Sequence, residues 1–270
     1  MTTHQQPSAL LVTLSVLTGM LLTMCGMPDI PPEAATRVVS TATPRAPGST
    51  TAVAVGATTL AQGTSDVPQP VDAGVAPDTV LVPAGNGVAA FRIGRTEVTN
   101  AQYAQCVAAG TCTAPVPYSD RCHYSNAVYA EHPVVCVTRA QAEEYAAWIG
   151  GTLPTDAQWT RACKGDDGRT YPWGEEAPDE RLANFSIAGR QAGDLTAVGS
   201  YPAGASPYGV LDMAGNAPEW VQSDPGDGEQ YIRGGAFFNN AADVVCSTRF
   251  QVGGANADLA VGFRVVAPAP

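Results

Sequence analysis

The sequence predicts an α+β domain over residues 79–270, preceded by a long segment without a core. All 19 aromatic residues lie between Phe91 and Phe263, and a compact core needs large apolar side chains. Within that region, helix-forming segments come first and short strand patterns follow. This order is typical of an α+β fold with much irregular chain.

Residues 26–78 predict a disordered stalk. They consist largely of Ala, Thr, Gly, Ser and Pro, with eight prolines. Such a segment cannot bury enough apolar surface to offset its chain entropy.

Residues 1–25 predict a signal peptide or a membrane anchor. Residues 9–27 are 19 residues without a charge, which is barely long enough to cross a bilayer as a helix. Cys25 stands near the end of this run in "LTMCG", which resembles a bacterial lipoprotein box. Leu22 fits that box, whereas Met24 is larger than the usual residue. Lipidation at Cys25 and an uncleaved helix both stay open, and either places the protein in the cell envelope.

The charge and cysteine counts narrow the class of protein. The chain has 14 Lys and Arg against 25 Asp and Glu, a net charge of −11, which repels nucleic acid. Without Cys25, six of the seven cysteines remain, an even set that suits up to three disulfides in an exported domain. These are Cys106, Cys112, Cys122, Cys136, Cys163 and Cys246.

The elements follow in order. "DTVLVPAG" and "AAFRIGRTEVT" alternate as strands do. "TNAQYAQCVAAG" predicts a helix that Thr99 caps and Gly110 stops. "VTRAQAEEYAAWIGG" is the clearest helix, because Thr138 and Gln141 have the spacing of a capping box. "LPTDAQWTRACKG" repeats the device with Thr155 as its cap.

The second half of the domain predicts loops and short strands. The segments that suggest them are "YPWG", "AVGSYPAG", "EWVQS", "YIRGGAF", "CSTRFQ" and "GFRVV". The four tryptophans are expected in the core rather than in a ligand cage. They are Trp148, Trp159, Trp173 and Trp220.

Six motifs in this order resemble the sulfatase-modifying-factor family, that of the formylglycine-generating enzyme. They are "RTEVTNAQYAQC", "HPVVCVTRAQAEEYAAWIGGTLPTDAQW", "RTYPWG", "VGSYPAGASPYGVLDMAGNAPEW", "IRGGAF" and "GFRVV". The resemblance covers residues 80–267. It implies a duplicated, C-type-lectin-like fold with little regular secondary structure. It also implies an activity in which a copper-binding cysteine pair oxidises a sulfatase cysteine to formylglycine.

The copper site implied by the resemblance is degenerate in this sequence. Ala236 stands where the enzyme has a serine, and Asn239 stands where its first catalytic cysteine belongs. Cu(I) needs soft thiolate ligands, and the next cysteine is Cys246, which matches a structural family cysteine paired with Cys163. We therefore expect no copper. The alternative is that Asn239 and Asn240 serve some other chemistry.

Six cysteines allow 15 pairings. The resemblance implies the pair Cys163–Cys246. Proximity in the sequence suggests local pairs for the other four. These are Cys106–Cys112 and Cys122–Cys136.

The resemblance also implies calcium. In "LDMAGNAPEW", the hard carboxylates of Asp212 and Glu219 bracket a Gly-Asn turn, and calcium prefers such oxygens. The matching ligands are these two side chains and the carbonyl oxygens of Gly215 and Ala217. A hydrogen-bonded turn without metal is the alternative.

A second family calcium site would use Asn184 and the carbonyl oxygen of Phe185. Its remaining ligands fall in a loop that is shorter here, where Asp194 is the candidate.

These observations predict a membrane-tethered, extracytoplasmic module that is non-catalytic and binds a protein or glycan. The alternative is a formylglycine-generating or related oxidase that acts on sulfatase-type proteins through an unrecognised site. Iron-dependent oxygenases of the same superfamily use a histidine-rich site on an extra helical domain. With three histidines, this chain is not expected to have that site.

Overall fold

The computed structural model describes most of the predicted domain. Its ranges are 78–117, 119–187, 193–222, 226, 228–253 and 260–270. The predicted signal or anchor with Cys25, and nearly all of the predicted stalk, lie outside these residues, so those domain boundaries stay predictions. Within the described ranges, no helix is long and apolar enough to cross a bilayer.

The described chain contains six short strands and three α-helices. The strands are β1 (Thr79–Val82), β2 (Phe91–Gly94), β3 (Glu219–Val221), β4 (Gln230–Arg233), β5 (Arg249–Val252) and β6 (Val266–Pro268). The helices are α1 (Asn100–Ala108), α2 (Arg139–Trp148) and α3 (Asp156–Lys164). Two of the segments predicted as loops or short strands are turns. "YPWG" forms a bridge between Tyr171 and Gly174, and "AVGSYPAG" contains a single turn of 3-10 helix.

All three helices begin at a threonine capping box, which confirms the predicted caps. In each box, the threonine hydroxyl accepts from the backbone N–H of a glutamine three residues on, and that glutamine side chain accepts from the threonine N–H. Such a cap contributes about 1 kcal/mol to a helix. The pairs are Thr99–Gln102, Thr138–Gln141 and Thr155–Gln158.

The strands form two antiparallel sheets of three strands. The first has the order β1-β2-β6, in which Phe91 faces Pro268. The second has the order β3-β4-β5, in which Glu219 faces Arg233. The first sheet thus joins the start of the domain to its last strand, whereas the second is built from strands close together in the sequence. Few helices and small sheets agree with the predicted fold class.

Two large clusters form the core. One contains Trp220, Tyr103, Tyr145 and Phe263. The rings of the two tyrosines and Phe263 contact one another at centroid distances of 5.4–6.2 Å. The other gathers Trp159 with residues of the first sheet and with Met213. Trp159 and Trp220 are fully buried, as expected of core residues. The other two tryptophans are partly buried and pack against core clusters.

Three disulfides are present, with the pairing that the sequence analysis expected. The bridge from α3 to the segment before β5 spans the longest stretch of sequence, 83 residues. The other two span 6 and 14 residues and lie around α1 and the loop that follows it. They are Cys163–Cys246, Cys106–Cys112 and Cys122–Cys136.

Candidate functional site

The position at which the family resemblance implies a degenerate copper site lies at the end of β4, where two glycines start a tight turn. Gly234 and Gly235 have φ angles of 88° and 71°, which residues with a side chain rarely adopt. A side chain on Gly235 would also meet the carbonyl oxygen of Asp243 at 2.9 Å. The chain therefore reverses here, and Ala236 follows it into a buried position.

Asn239 closes this turn. Its Oδ1 accepts a hydrogen bond from the Ala236 N–H at 2.8 Å, and its own N–H donates to the Ala236 carbonyl at 2.9 Å. Its carbonyl accepts from the Ser186 N–H at 2.8 Å. An amide oxygen is a strong acceptor, whereas sulfur is a weak one. The Asn239 side chain therefore stabilises the backbone of the turn.

The described chain offers no thiol to this turn. All six of its cysteines are in disulfides, and metal binding or redox chemistry at sulfur requires a thiolate. Cys246 is the cysteine that follows the turn. It is fully buried and bonded to Cys163.

An apolar groove of about 260 Å³ opens beside the turn. Phe238 at its rim is 39% exposed. The Arg121 guanidinium lies 5.2 Å from the Phe238 ring centroid and 5.1 Å from that of Phe237, within the range of a cation–π contact. The groove is lined by Pro218, Ile232, Ala236, Phe238, Asn239, Phe250, Gln251 and Val252.

A larger pocket of about 480 Å³ lies beside β6. Backbone and small or apolar side chains line most of it, with Gln158 as the longest polar one, and no titratable side chain contributes. We therefore assign the candidate binding site to the groove, because an exposed aromatic ring stands at its rim and a cation lies against that ring outside the groove lining.

The acidic loop at residues 212–219 is buried and held by an arginine. Arg264 forms a bidentate ion pair with Glu219. Its Nη2 donates to Glu219 Oε1 at 2.6 Å, and its Nε donates to Glu219 Oε2 at 2.7 Å. The Trp159 indole N–H also donates to Oε2, at 2.9 Å. Asp212 accepts from the Gly199 N–H through Oδ2 at 2.6 Å. Both predicted carboxylates therefore lie in the core, and Glu219 already has a donor on each oxygen.

The backbone of this loop is tightly turned. Asp212, Gly215 and Asn216 have φ angles of 56°, 80° and 58°. A side chain on Gly215 would overlap the carbonyl oxygen of Asn184. That carbonyl accepts from the Asn216 N–H at 2.8 Å, so the loop packs directly against the second predicted calcium segment.

Glu97 is a third carboxylate in this region, and the sequence analysis did not single it out. It is fully buried, and its Oε1 accepts from the Asn216 side-chain amide at 3.1 Å. Burial, followed by the charge of Asp212, raises the pKa of Glu97 well above its ordinary value. Burial also raises the pKa of Asp212. The sequence signal that could have identified Glu97 is its place as an acidic residue inside the family motif that begins "RTEVTN".

The second predicted calcium segment is more open. The Asn184 side-chain amide donates to the Asp194 carbonyl at 2.9 Å and to Asn216 Oδ1 at 3.1 Å. Asp194 Oδ2 contacts His123 Nε2 at 3.0 Å. Asn184, Phe185 and Asp194 line one pocket of about 320 Å³. The structure thus brings these three residues together, although residues 188–192 between them lie outside the described ranges.

Among the described residues, no group of three or more His, Cys, Asp or Glu side chains is arranged to hold a metal ion. Calcium at either loop would therefore depend on carbonyl oxygens and water for most of its ligands. The fold supplies hard oxygen donors at both places. Both calcium sites stay predictions.

The fold and the glycine turn define a C-type-lectin-like domain of the kind expected. A family model described as "Sulfatase-modifying factor enzyme 1-like domain" matches residues 42–269, and the chain belongs to this family. The match begins within the predicted stalk. The structure of PvdO from Pseudomonas aeruginosa resembles this one with a TM-score of 0.59 at 19% identity, covering 74% of this chain and 97% of that one. This likeness concerns the fold alone.

Several curated proteins match parts of the chain. Hercynine oxygenase of Mycolicibacterium smegmatis is 35% identical over 50% of this chain and 38% of its own length. The formylglycine-generating enzyme of Mycobacterium tuberculosis is 41% identical over 35% of this chain and 34% of its own. "Inactive C-alpha-formylglycine-generating enzyme 2" of Bos taurus is 33% identical over 45% and 44%. The matches thus span less than half the length of these relatives.

Proposed function

We propose that this protein is a non-catalytic binding module of the sulfatase-modifying-factor family, exported and tethered to a membrane by its N-terminal segment. The observation that carries the proposal is the glycine turn after β4. Asn239 stands there in place of a cysteine and is used to close the turn. A Cu(I) cofactor that supports oxidation of a substrate cysteine would need thiolate ligands at this place, and the six described cysteines are all bridged.

The groove beside the turn supports the binding part of the proposal. Its rim carries an exposed aromatic ring, Phe238, and the guanidinium of Arg121, an exposed residue outside the groove lining, lies against that ring. Aromatic and arginine side chains carry much of the binding energy in protein interfaces. A protein or glycan ligand would place an apolar face on Phe238. One relative has a name that includes the word inactive, and this supports the idea that a member of the family can lose catalysis and keep the fold.

The tether rests on the uncharged run at residues 9–27 and on Cys25. Disulfides support export, because such bridges persist in oxidising compartments. Fractionation of cells that express the full chain tests this part. We expect the protein in the membrane fraction. Fatty-acid labelling that disappears in Cys25→Ala would select the lipoprotein alternative, and membrane retention without label would select the uncleaved helix. Recovery in the soluble cytoplasmic fraction would refute the tether.

Catalysis is tested directly by loading the purified full chain with Cu(I) and incubating it with a sulfatase-type cysteine peptide. Mass spectrometry should find no conversion of cysteine to formylglycine. A formylglycine-generating enzyme treated in parallel shows that the assay works. Copper-dependent aldehyde that disappears in Cys246→Ser would establish the oxidase alternative instead.

The groove is tested by a photo-crosslinking amino acid at Phe238 in cells. The matched control carries it at Val128, which is 81% exposed and outside the groove. A discrete adduct at Phe238 that is absent at Val128, and that weakens in Arg121→Ala, supports ligand binding here. Equal labelling at both positions would show that the groove is ordinary surface.

A further inference from the structure

The three disulfides differ in how far solvent reaches them. Cys122 is partly exposed, whereas its partner Cys136 is 1% exposed. The four cysteines of the other two bridges are all buried, at 5% exposure or less. A thiol can open a disulfide only if it reaches one of the two sulfur atoms. Among the six cysteines that the structure describes, Cys122 is therefore the one most open to attack.

The segment that carries Cys122 is attached to the domain by few other contacts. Within the described ranges, the backbone hydrogen bonds of residues 119–123 join residues no more than three positions apart. The Cys122 N–H donates to the Ser119 carbonyl at 3.2 Å, and the His123 N–H donates to the Arg121 carbonyl at 3.2 Å. The disulfide is thus the one covalent cross-link between this segment and the core.

The other half of the bridge is fixed by the core. Cys136 lies between Val135 and Val137, which are both buried. It belongs to the same core cluster as Phe237, and Cys122 packs against that cluster. If the bridge opens, Cys136 keeps these neighbours, so the Cys122 side is the half that moves.

The Cys122 side also carries the cation of the candidate binding site. Arg121 directly precedes Cys122 in the chain, and its guanidinium lies against the rings of Phe237 and Phe238. The disulfide therefore fixes the backbone from which Arg121 reaches the rim of the groove. Without the bridge, the cation–π contacts alone would have to hold the arginine there, and such contacts are weak at exposed sites.

We propose that the Cys122–Cys136 disulfide is a redox switch that regulates the groove. The intact bridge holds Arg121 against Phe238. Reduction by a protein dithiol of the thioredoxin type releases residues 119–123, and ligand binding in the groove becomes weaker. This inference rests on the binding function proposed above for the groove.

The reaction is a thiol–disulfide exchange. A thiolate of the dithiol attacks Cys122 Sγ, the bond between the two sulfurs breaks, and Cys136 leaves as a thiolate that takes up a proton. The second thiol of the reductant, once deprotonated, attacks its own sulfur in the mixed disulfide, and Cys122 leaves and is protonated in turn. The dithiol loses two electrons and two protons and becomes a disulfide, and the two cysteines become thiols.

The first test uses the oxidised full-length protein, with free thiols blocked beforehand. It is incubated with graded dithiothreitol, new thiols are alkylated with iodoacetamide, and mass spectrometry of peptides locates them. We expect Cys122 and Cys136 to be labelled at a dithiothreitol concentration about tenfold or more below that needed for the other four cysteines. Hydrogen exchange of the same samples should become faster in residues 119–123 and 234–240, and stay unchanged in α3.

The second test measures binding through the photo-crosslinking amino acid at Phe238. Its adduct in cells is compared between the oxidised parent and a variant with Cys122→Ala and Cys136→Ala. Loss of an exposed cation–π contact should weaken the adduct by about two- to fivefold. The matched control carries Cys106→Ala and Cys112→Ala, a pair that does not line the groove, and should keep the adduct.

Three outcomes would overturn the switch. The three bridges could open together, selective reduction could leave exchange in residues 234–240 unchanged, or the variant without Cys122 and Cys136 could give an undiminished adduct. If the oxidised parent gives no adduct at Phe238, the proposed binding function fails instead. Hydrogen exchange then decides alone whether the bridge controls the turn, and it also decides if the variant does not fold.

Discussion

Removing the disulfide between Cys163 and Cys246 should destabilise the domain far more than removing that between Cys106 and Cys112. The two bridges span 83 and 6 residues. Constraint of the unfolded chain by loops of these lengths contributes about 4.5 and about 2 kcal/mol. All four cysteines are buried, so replacement of each pair by alanine loses similar packing. The difference of about 2 kcal/mol then comes from the unfolded state.

The assay is thermal unfolding of the full chain and of the two double-alanine variants, measured by calorimetry. For a domain of this size, about 2 kcal/mol corresponds to a difference in Tm of about 4–8 °C. In urea, the long-loop variant should also show the larger m-value, because its unfolded chain exposes more surface. Equal losses, or a greater loss for the short bridge, would refute the reasoning. That result would place the stabilisation in the folded state instead.

Three further predictions concern the core. Arg264→Met should lower the free energy of unfolding by about 3–5 kcal/mol, because Glu219 would keep a buried charge without its partner. A loss of less than about 1 kcal/mol in a urea titration would contradict this. Gly215→Ala should destabilise the domain by more than Gly110→Ala, since both have positive φ but only the first would overlap a backbone oxygen; equal Tm values would show that the loop relaxes. Burial raises the pKa of Tyr103, so the folded state retains this proton after the unfolded chain has lost it. Stability should therefore fall as pH rises above about 10. The difference in absorbance at 295 nm between the wild type and Tyr103→Phe isolates this residue, and Tyr103 phenolate that formed before unfolding would refute the prediction.

The helix starts and the disulfide pairs show how much of the fold the local sequence determined. Thr138 and Gln141 form the predicted capping box because each bond joins residues three apart, and no distant contact is needed. The pairing of Cys163 with Cys246 came from the family resemblance, because 83 residues separate them. The sequence left open whether "AVGSYPAG" forms a loop or a short strand, for the opposite reason. Strands form only where a partner strand lies alongside, and that depends on the tertiary fold.

The candidate site divides in the same way. The sequence by itself identified Ala236 and Asn239 as positions without a thiol, because the residue type alone determines whether a position can offer a thiolate to a metal. The tertiary structure alone gave Asn239 its role in closing the turn and joined Glu219 to Arg264, 45 residues away. It also brought Glu97 beside a loop that lies 119 residues further along the chain. Periodicity and motif spacing report on neighbours within one element, whereas buried charges find their partners only when the whole chain has packed.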